Sequence, residues 1–173
     1  MKLGTKGRYA VMAMVDLAGS TVMNGKNNPM TLADIADRQD ISLSYLEQLF
    51  SKLRKAGLVK SVRGPGGGYM LARSADLLRI SDIVMAVDEP IRVTRCNPNT
   101  GKGCMPDGGR CLTHDLWEEL SNHIYLFLST VSLEDVCERR VLGTSGVLHA
   151  AQRNENEQQS HLPASPASIV AAE

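Results

Sequence analysis

Aromatic residues are scarce in this chain: Phe, Tyr and Trp make up 4% of its 173 residues. A core built from it must be aliphatic and draw on its eight methionines. No stretch approaches the roughly 18 consecutive apolar residues of a membrane span. The run MKLGTKGRYAVMAMVDLAG places basic residues before apolar ones, but Asp16 interrupts it. That pattern is an amphipathic helix and not a signal peptide. The cytoplasm is therefore the expected compartment, and thiols there stay reduced. No C-x-x-C pair occurs, and no Gly-Lys-Ser/Thr follows the glycine-rich run. Thiol-exchange and nucleotide-loop readings lose their usual signatures. No segment repeats, and an enzyme is not expected. Net charge is also lacking, yet the zero hides an asymmetry. Residues 1–80 carry twelve Lys/Arg and six Asp/Glu, whereas residues 81–173 carry seven and thirteen. A basic half joined to an acidic half points the first toward nucleic acid.

Residues 7–22 place Tyr9, Met12, Val15 and Val22, with Val11 and Ala18 beside them, on one helical face. Thr5 is the expected cap. Asn24 to Pro29 is a loop by composition. Thr31 opens a second helix, with Asp34 completing a capping box and Leu32, Ile35 and Ala36 facing inward. Asp40-Ile41 ends it. Ser42 or Ser44 caps a third helix, and Ser44 with Glu47 has the spacing of a second capping box. Leu46, Leu49, Phe50 and Leu53 form its core stripe. The other side presents Ser44, Tyr45, Gln48, Ser51, Lys52 and Lys55, and Gly57 follows the end. Two short helices with a tight turn read as a helix-turn-helix, or as any helical hairpin with a solvated face.

Val59–Arg63 and Tyr69–Ala72 read as strands around the turn Gly64-Pro65-Gly66-Gly67-Gly68. A hairpin directly after a helix-turn-helix makes a winged helix. Three consecutive glycines allow close backbone approach to another surface. Arg63 stands at the base of the wing, and a narrow minor groove attracts an inserted arginine. Ser81 caps a short helix that buries Ile83, Val84 and Val87, and Asp88-Glu89-Pro90 stops it. From Thr113 a long helix carries Leu116, Leu120, Ile124, Phe127, Leu128 and Val131, widened by Trp117. With no core of its own to pack on, this helix is expected to pair with its mate from a second chain. Ser132 caps a last helix ending near Leu142.

Three of the four cysteines crowd into C-NPNTGKG-C-MPDGGR-C-LT-H, from Cys96 through Cys104 and Cys111 to His114. The intervening glycines, prolines, asparagines and aspartate make a loop with no structure of its own. A loop of this length is functional or disordered. Three soft ligands at close quarters point to a metal or cluster; a disulfide and idle thiols are the alternatives. A Cys₃His set also suits zinc, although zinc knuckles use closer cysteine pairs than any here. Cys137 is a second candidate for the fourth ligand, against packing as a buried thiol.

The strings KGRYAVMAMVDLA, DISLSYLEQLFSKLRKAGLVKSVRGPGGGY and CLTH resemble the iron–sulfur cluster regulators, a bacterial family of winged-helix transcription regulators. The resemblance spans about residues 1–142. It implies a homodimer with a [2Fe-2S] cluster held by Cys96, Cys104, Cys111 and His114. It also implies control of genes for iron–sulfur assembly. Its partners would be double-stranded DNA, a second copy and iron–sulfur assembly proteins as cluster donors, with no membrane. The DNA-contacting set is Ser42, Ser44, Tyr45, Glu47, Gln48 and Lys52, with Arg63 and Gly66 in the wing. Relatives in the family have tighter first two gaps than the seven and six residues found here. Sister regulators sensing nitric oxide or cysteine supply stay open, as does a zinc or cluster protein without a DNA role.

The expected fold is mainly α with a small β wing: a winged helix-turn-helix followed by a long C-terminal dimerisation helix. Residues 1–90 would be the DNA-binding domain and 91–112 the cluster loop. Residues 113–142 would hold the dimerisation helix and a short C-terminal helix, and 143–173 a disordered tail.

Overall fold

The structure is a computed structural model that describes residues 4–24, 28–89, 91, 93, 103–105 and 107–141. Cys96, Pro90, Leu142 and the tail lie outside the described residues. Met1–Arg140 forms one compact unit; of the second, Val141–Glu173, only Val141 is described. The helices are α1 (Thr5–Asn24), α2 (Leu32–Gln39), α3 (Leu43–Lys55), α4 (Ile80–Ala86), α5 (His114–Thr130) and α6 (Leu133–Cys137). The strands β1 (Val59–Val62) and β2 (Gly68–Leu71) form the antiparallel wing between α3 and α4. This is the winged helix-turn-helix expected, mainly helical with one small sheet.

Helix α1 is the central element, touching α2, α3, α4, α6 and β2. Its buried stripe is Ala10, Ala13, Met14, Leu17 and Ala18. The expected face is right only in part: Ala18 is buried, Tyr9, Val11, Val15 and Val22 are half-buried against the core, and Met12 is exposed. The sequence offers apolar residues around almost the whole helix, so periodicity alone does not resolve which of them lie deepest. Small alanines let neighbouring helices approach most closely, and that side became the core. Thr5 is the first helical residue and not a cap.

Helices α2 and α3 follow local chemistry closely. The Thr31 hydroxyl accepts from the Asp34 N–H at 3.1 Å, and Asp40 takes a left-handed conformation (φ 52°) at the C-cap. Leu46, Leu49, Phe50 and Leu53 are all fully buried or nearly so. Truncating Phe50 to alanine would cost about 3–5 kcal/mol by the usual cavity and transfer terms. At the end of α3 the Gly57 N–H donates to Arg54 and the Leu58 N–H to Leu53, a paired closure that glycine's positive φ of 71° permits.

The wing is pinned by three devices. Val59 pairs with Leu71 and Val62 with Gly68, while Arg63 has already left the ladder. The Gly67 N–H donates to the Gly64 carbonyl at 2.9 Å, and Gly66 (φ 72°) follows Pro65 at the turn position that demands positive φ. Met30 exchanges two backbone hydrogen bonds with Tyr69, at 2.9 and 2.8 Å, adding a third edge to the sheet. A Cβ on Gly68 would overlap the Met30 backbone, and one on Gly67 would overlap the Val62 carbonyl. Two of the three consecutive glycines thus serve close approach within the chain.

Helix α4 starts after Arg79, so Ser81 is a buried helical residue and not the expected cap. Helix α6 carries the capping box of Ser132 and Asp135, and its Leu133 is fully buried. It stops at Cys137, five residues before the expected end, because Arg139 turns left-handed (φ 57°) and the Arg140 N–H closes on the Asp135 carbonyl. Ion pairs from Arg140 to Glu134, Asp135 and Glu138 hold that end. Backbone bonds from Ile80 to Val131 and from Leu133 to Leu78 tie the start of α6 to the start of α4.

Candidate DNA interface and metal centre

Helix α3 buries one face and presents the other. Ser42, Ser44, Glu47 and Gln48 are exposed, and Tyr45 is half-buried with its ring edge-on to Tyr9 at 6.0 Å. Ser42 is the N-cap residue, yet its hydroxyl accepts no backbone N–H. Because the helix begins at Leu43, Ser44 lies inside it, and the expected Ser44–Glu47 capping box does not form. The Glu47 carboxylate is thereby left on the solvent face, hydrogen-bonded to no described residue. Arg63 and Gly66 are exposed in the wing, and Arg63 likewise pairs with no described residue. Lys52 is engaged: its Nζ lies 2.8 Å from Asp88 Oδ2. That pair was missed, since nothing in the sequence brings the end of α4 to α3.

The second constellation lies where the cysteine loop meets α5. Cys104 Sγ is 3.2 Å from His114 Nδ1, and the Cys111 N–H donates to Cys104 Sγ at 3.4 Å. Cys111 Sγ lies 3.5 Å from Thr113 Oγ1. Residues around this cluster have local structure, contrary to the structureless loop expected. The Gly103 N–H donates to Gly108, Met105 to Gly109 and Gly108 back to Met105, at 2.9 to 3.1 Å. The Gly109 N–H also bonds Asp107 Oδ1 at 2.9 Å. A Cβ on Gly103 would overlap the Gly109 carbonyl, so glycine makes this reversal possible. The reversal carries Cys104 back toward Cys111.

His114 is buried to 7% exposure as the first residue of α5. Its Nε2 faces Glu118 Oε2 one turn on, at 3.5 Å. An Nε2–H held by that carboxylate leaves the Nδ1 lone pair toward Cys104, the arrangement metal-bound histidines use. Glu118 was not foreseen, although the His-x-x-x-Glu spacing that places it one turn away was visible. His114, Asp115 and Glu118 also present ligand atoms within 4.8 Å of one another. The donor set therefore fits a thiolate-bound metal or cluster. Cys137 stands elsewhere: its Sγ faces the Val15 carbonyl at 3.7 Å on α1. Burial, and then Glu134 and Glu138, push its thiol up from the ordinary value, which suits packing better than ligation.

Beyond the loop, α5 leaves much of its apolar surface open. Leu116 is 61% exposed, Leu126 58% and Phe127 53%, with Trp117 and Tyr125 also exposed. Its inner side is held by the Val93 N–H donating to Ser121 Oγ at 2.9 Å and by buried Val131. No helix among the described residues is long and apolar enough to cross a membrane.

Comparison with known proteins agrees with this architecture. The chain is 49% identical over 163 residues to the HTH-type transcriptional regulator IscR of Klebsiella pneumoniae, covering 92% of this chain and 96% of that one. It is 51% identical over 150 residues to IscR of Escherichia coli, covering 86% and 88%. Among solved structures, T. potens IscR superposes with a TM-score of 0.63 at 36% identity, covering 81% of this chain and 88% of that one. CymR, the global cysteine regulator of B. subtilis, gives 0.64 at 33% identity, covering 80% and 98%. These relatives are named as regulators and not as enzymes. The sequence model of the Rrf2 family, described as an iron-dependent transcriptional regulator, matches residues 3–139. A winged helix with an open reading face, and a match over most of its length, place the chain in the Rrf2 family of DNA-binding transcription regulators.

Proposed function

We propose that the chain is a cytoplasmic homodimer that senses iron–sulfur status through a [2Fe-2S] cluster and controls genes for cluster assembly. The observation that carries this reading is Cys104 Sγ set 3.2 Å from His114 Nδ1 in a chain about half identical to regulators named IscR. Cys96, Cys104, Cys111 and His114 would hold the cluster, delivered by iron–sulfur assembly proteins. When bound, the cluster supplies a redox- and iron-sensitive link between the loop and α5. The chain's residues then do the remaining work. Gly103 and Gly108 would shape the loop, the Cys111 N–H would donate to the Cys104 sulfur, and Glu118 would orient the imidazole.

DNA would be read by Ser42, Ser44, Tyr45, Glu47, Gln48 and Lys52 on α3, with Arg63 and Gly66 reaching from the wing. The exposure of Leu116 and Phe127, eleven residues apart and so on one face of α5, supports pairing with a second copy. Residues 1–90 would then form the reading domain, 91–112 the sensor loop and 113–142 the dimerisation segment.

The test is duplex titration of the cluster-loaded and cluster-free protein. The two states should prefer different sequences, and Arg63→Ala should weaken binding by about 1–3 kcal/mol if Arg63 contacts bases. Identical preferences in both states would contradict a cluster-dependent switch.

A further inference from the structure

Asp88 stands in an unusual place for an acidic residue. It follows α4 in a left-handed conformation (φ 57°) and its carboxylate meets Lys52 of α3 at 2.8 Å. Its side chain is 76% exposed and that of Lys52 35% exposed, so the pair lies at the surface, open to an incoming anion. Lys52 and then Lys6 and Lys55 hold the Asp88 carboxyl below its usual range. Lys52 pairs with the carboxylate directly, and Lys6 on α1 and Lys55 on α3 add longer-range positive charge. The neighbouring residue fixes the turn: Glu89 Oε2 accepts from the Gly7 N–H in the first turn of α1 at 2.7 Å. A Cβ on Gly4 would overlap that carboxylate, so the small residue leaves it room. The turn thus presents two acidic groups to a lysine cluster and a helix N-terminus, a setting that also suits phosphate oxygens.

We propose that Asp88 sets the strength of DNA binding by competing with a backbone phosphate for Lys52. The inference rests on the reading of α3 as the DNA-facing helix. A lysine contact to phosphate supplies affinity that is independent of sequence and depends on salt. Asp88 occupies the ammonium before DNA arrives and repels the phosphate that would replace it. Glu89 keeps the competing group in place. The same turn leads into the cysteine loop, seven residues before Cys96.

The experiment titrates a mixed-sequence DNA duplex with the full-length parent, Asp88→Asn, Lys52→Ala and the double variant across a range of salt concentrations. Asparagine tolerates the left-handed backbone, so Asp88→Asn keeps the turn. Asp88→Asn should bind several-fold tighter at low salt. Its log–log salt dependence should be steeper by about 0.9 per chain, the signature of one further neutralised phosphate. The gain should vanish when Lys52 is alanine. A gain that persists without Lys52 would show a general charge effect and overturn the competition. A parent that binds DNA alongside an Asp88→Asn that binds no tighter overturns this inference alone. A parent that binds no duplex overturns the DNA reading and this inference with it.

Discussion

Glu118 faces the far nitrogen of His114: Oε2 lies 3.5 Å from Nε2, while Nδ1 on the other side of the ring is 3.2 Å from Cys104 Sγ. If His114 is a ligand as proposed, a carboxylate in this place would favour the tautomer and ring orientation that leave Nδ1 free to bind. If the loop holds a cluster as proposed, Glu118→Ala should leave helical content unchanged but make the cluster more labile. Loss of an outer partner of this kind costs about 10- to 100-fold in metal affinity elsewhere. The measurement is the rate at which a chelator bleaches the anaerobic protein. An unchanged rate would make Glu118 a surface residue only.

Glu47 sits on the open face of α3 with no capping role left to explain it. Near phosphates a carboxylate is costly unless it accepts a hydrogen bond, and the matching major-groove donor is cytosine N4. If α3 docks in the groove as proposed, a site without that cytosine would leave Glu47 repelled and unpaired, and Glu47 would reject sequences more than select them. Glu47→Ala should let the cluster-free protein bind duplexes that otherwise need the cluster. A duplex panel titrated with parent and variant at one salt concentration tests this. Coincident preferences would contradict it.

The apolar residues on the outside of α5 make the third prediction. If the chain dimerises through α5 as proposed, Leu116→Glu with Phe127→Glu should yield a folded monomer, because both side chains are more than half exposed in the single chain. Sedimentation reads the mass and circular dichroism the fold. A dimer that survives both charges would move the interface elsewhere.

Acid should loosen the start of α6. Bonds from the Ser132 hydroxyl and backbone N–H, and then Arg140, hold the Asp135 carboxyl below its ordinary value. A carboxylate with a depressed folded value stabilises the fold above its unfolded value of about 3.9 and loses that contribution as pH falls through the folded one. The Tm of the parent should therefore drop more steeply below about pH 4 than that of Asp135→Asn, which has no such proton to gain. Parallel curves would contradict the assignment.

Much of the fold was legible because local signals agreed with it. Thr31 with Asp34, the stripe from Leu46 to Leu53, Gly57 and the capping box of Ser132 each act within a few residues. What failed was decided by distant partners. Met12 was expected inside, but α1 has apolar residues on most sides, and only the helices packed around it choose which are buried. Ser44 and Ser81 had the right chemistry for caps, yet each helix begins earlier. The turn at Cys104 depends on backbone bonds among glycines, which leave little trace in hydropathy. The meeting of Lys52 with Asp88 joins residues on different helices, and no local spacing announces it.

The most direct test of the central claim is the iron, acid-labile sulfide and visible spectrum of protein purified without oxygen. A chain that holds the proposed cluster should be reddish-brown, with a colour that Cys104→Ala abolishes while the chain stays folded. Stoichiometric zinc with no labile sulfide would contradict it.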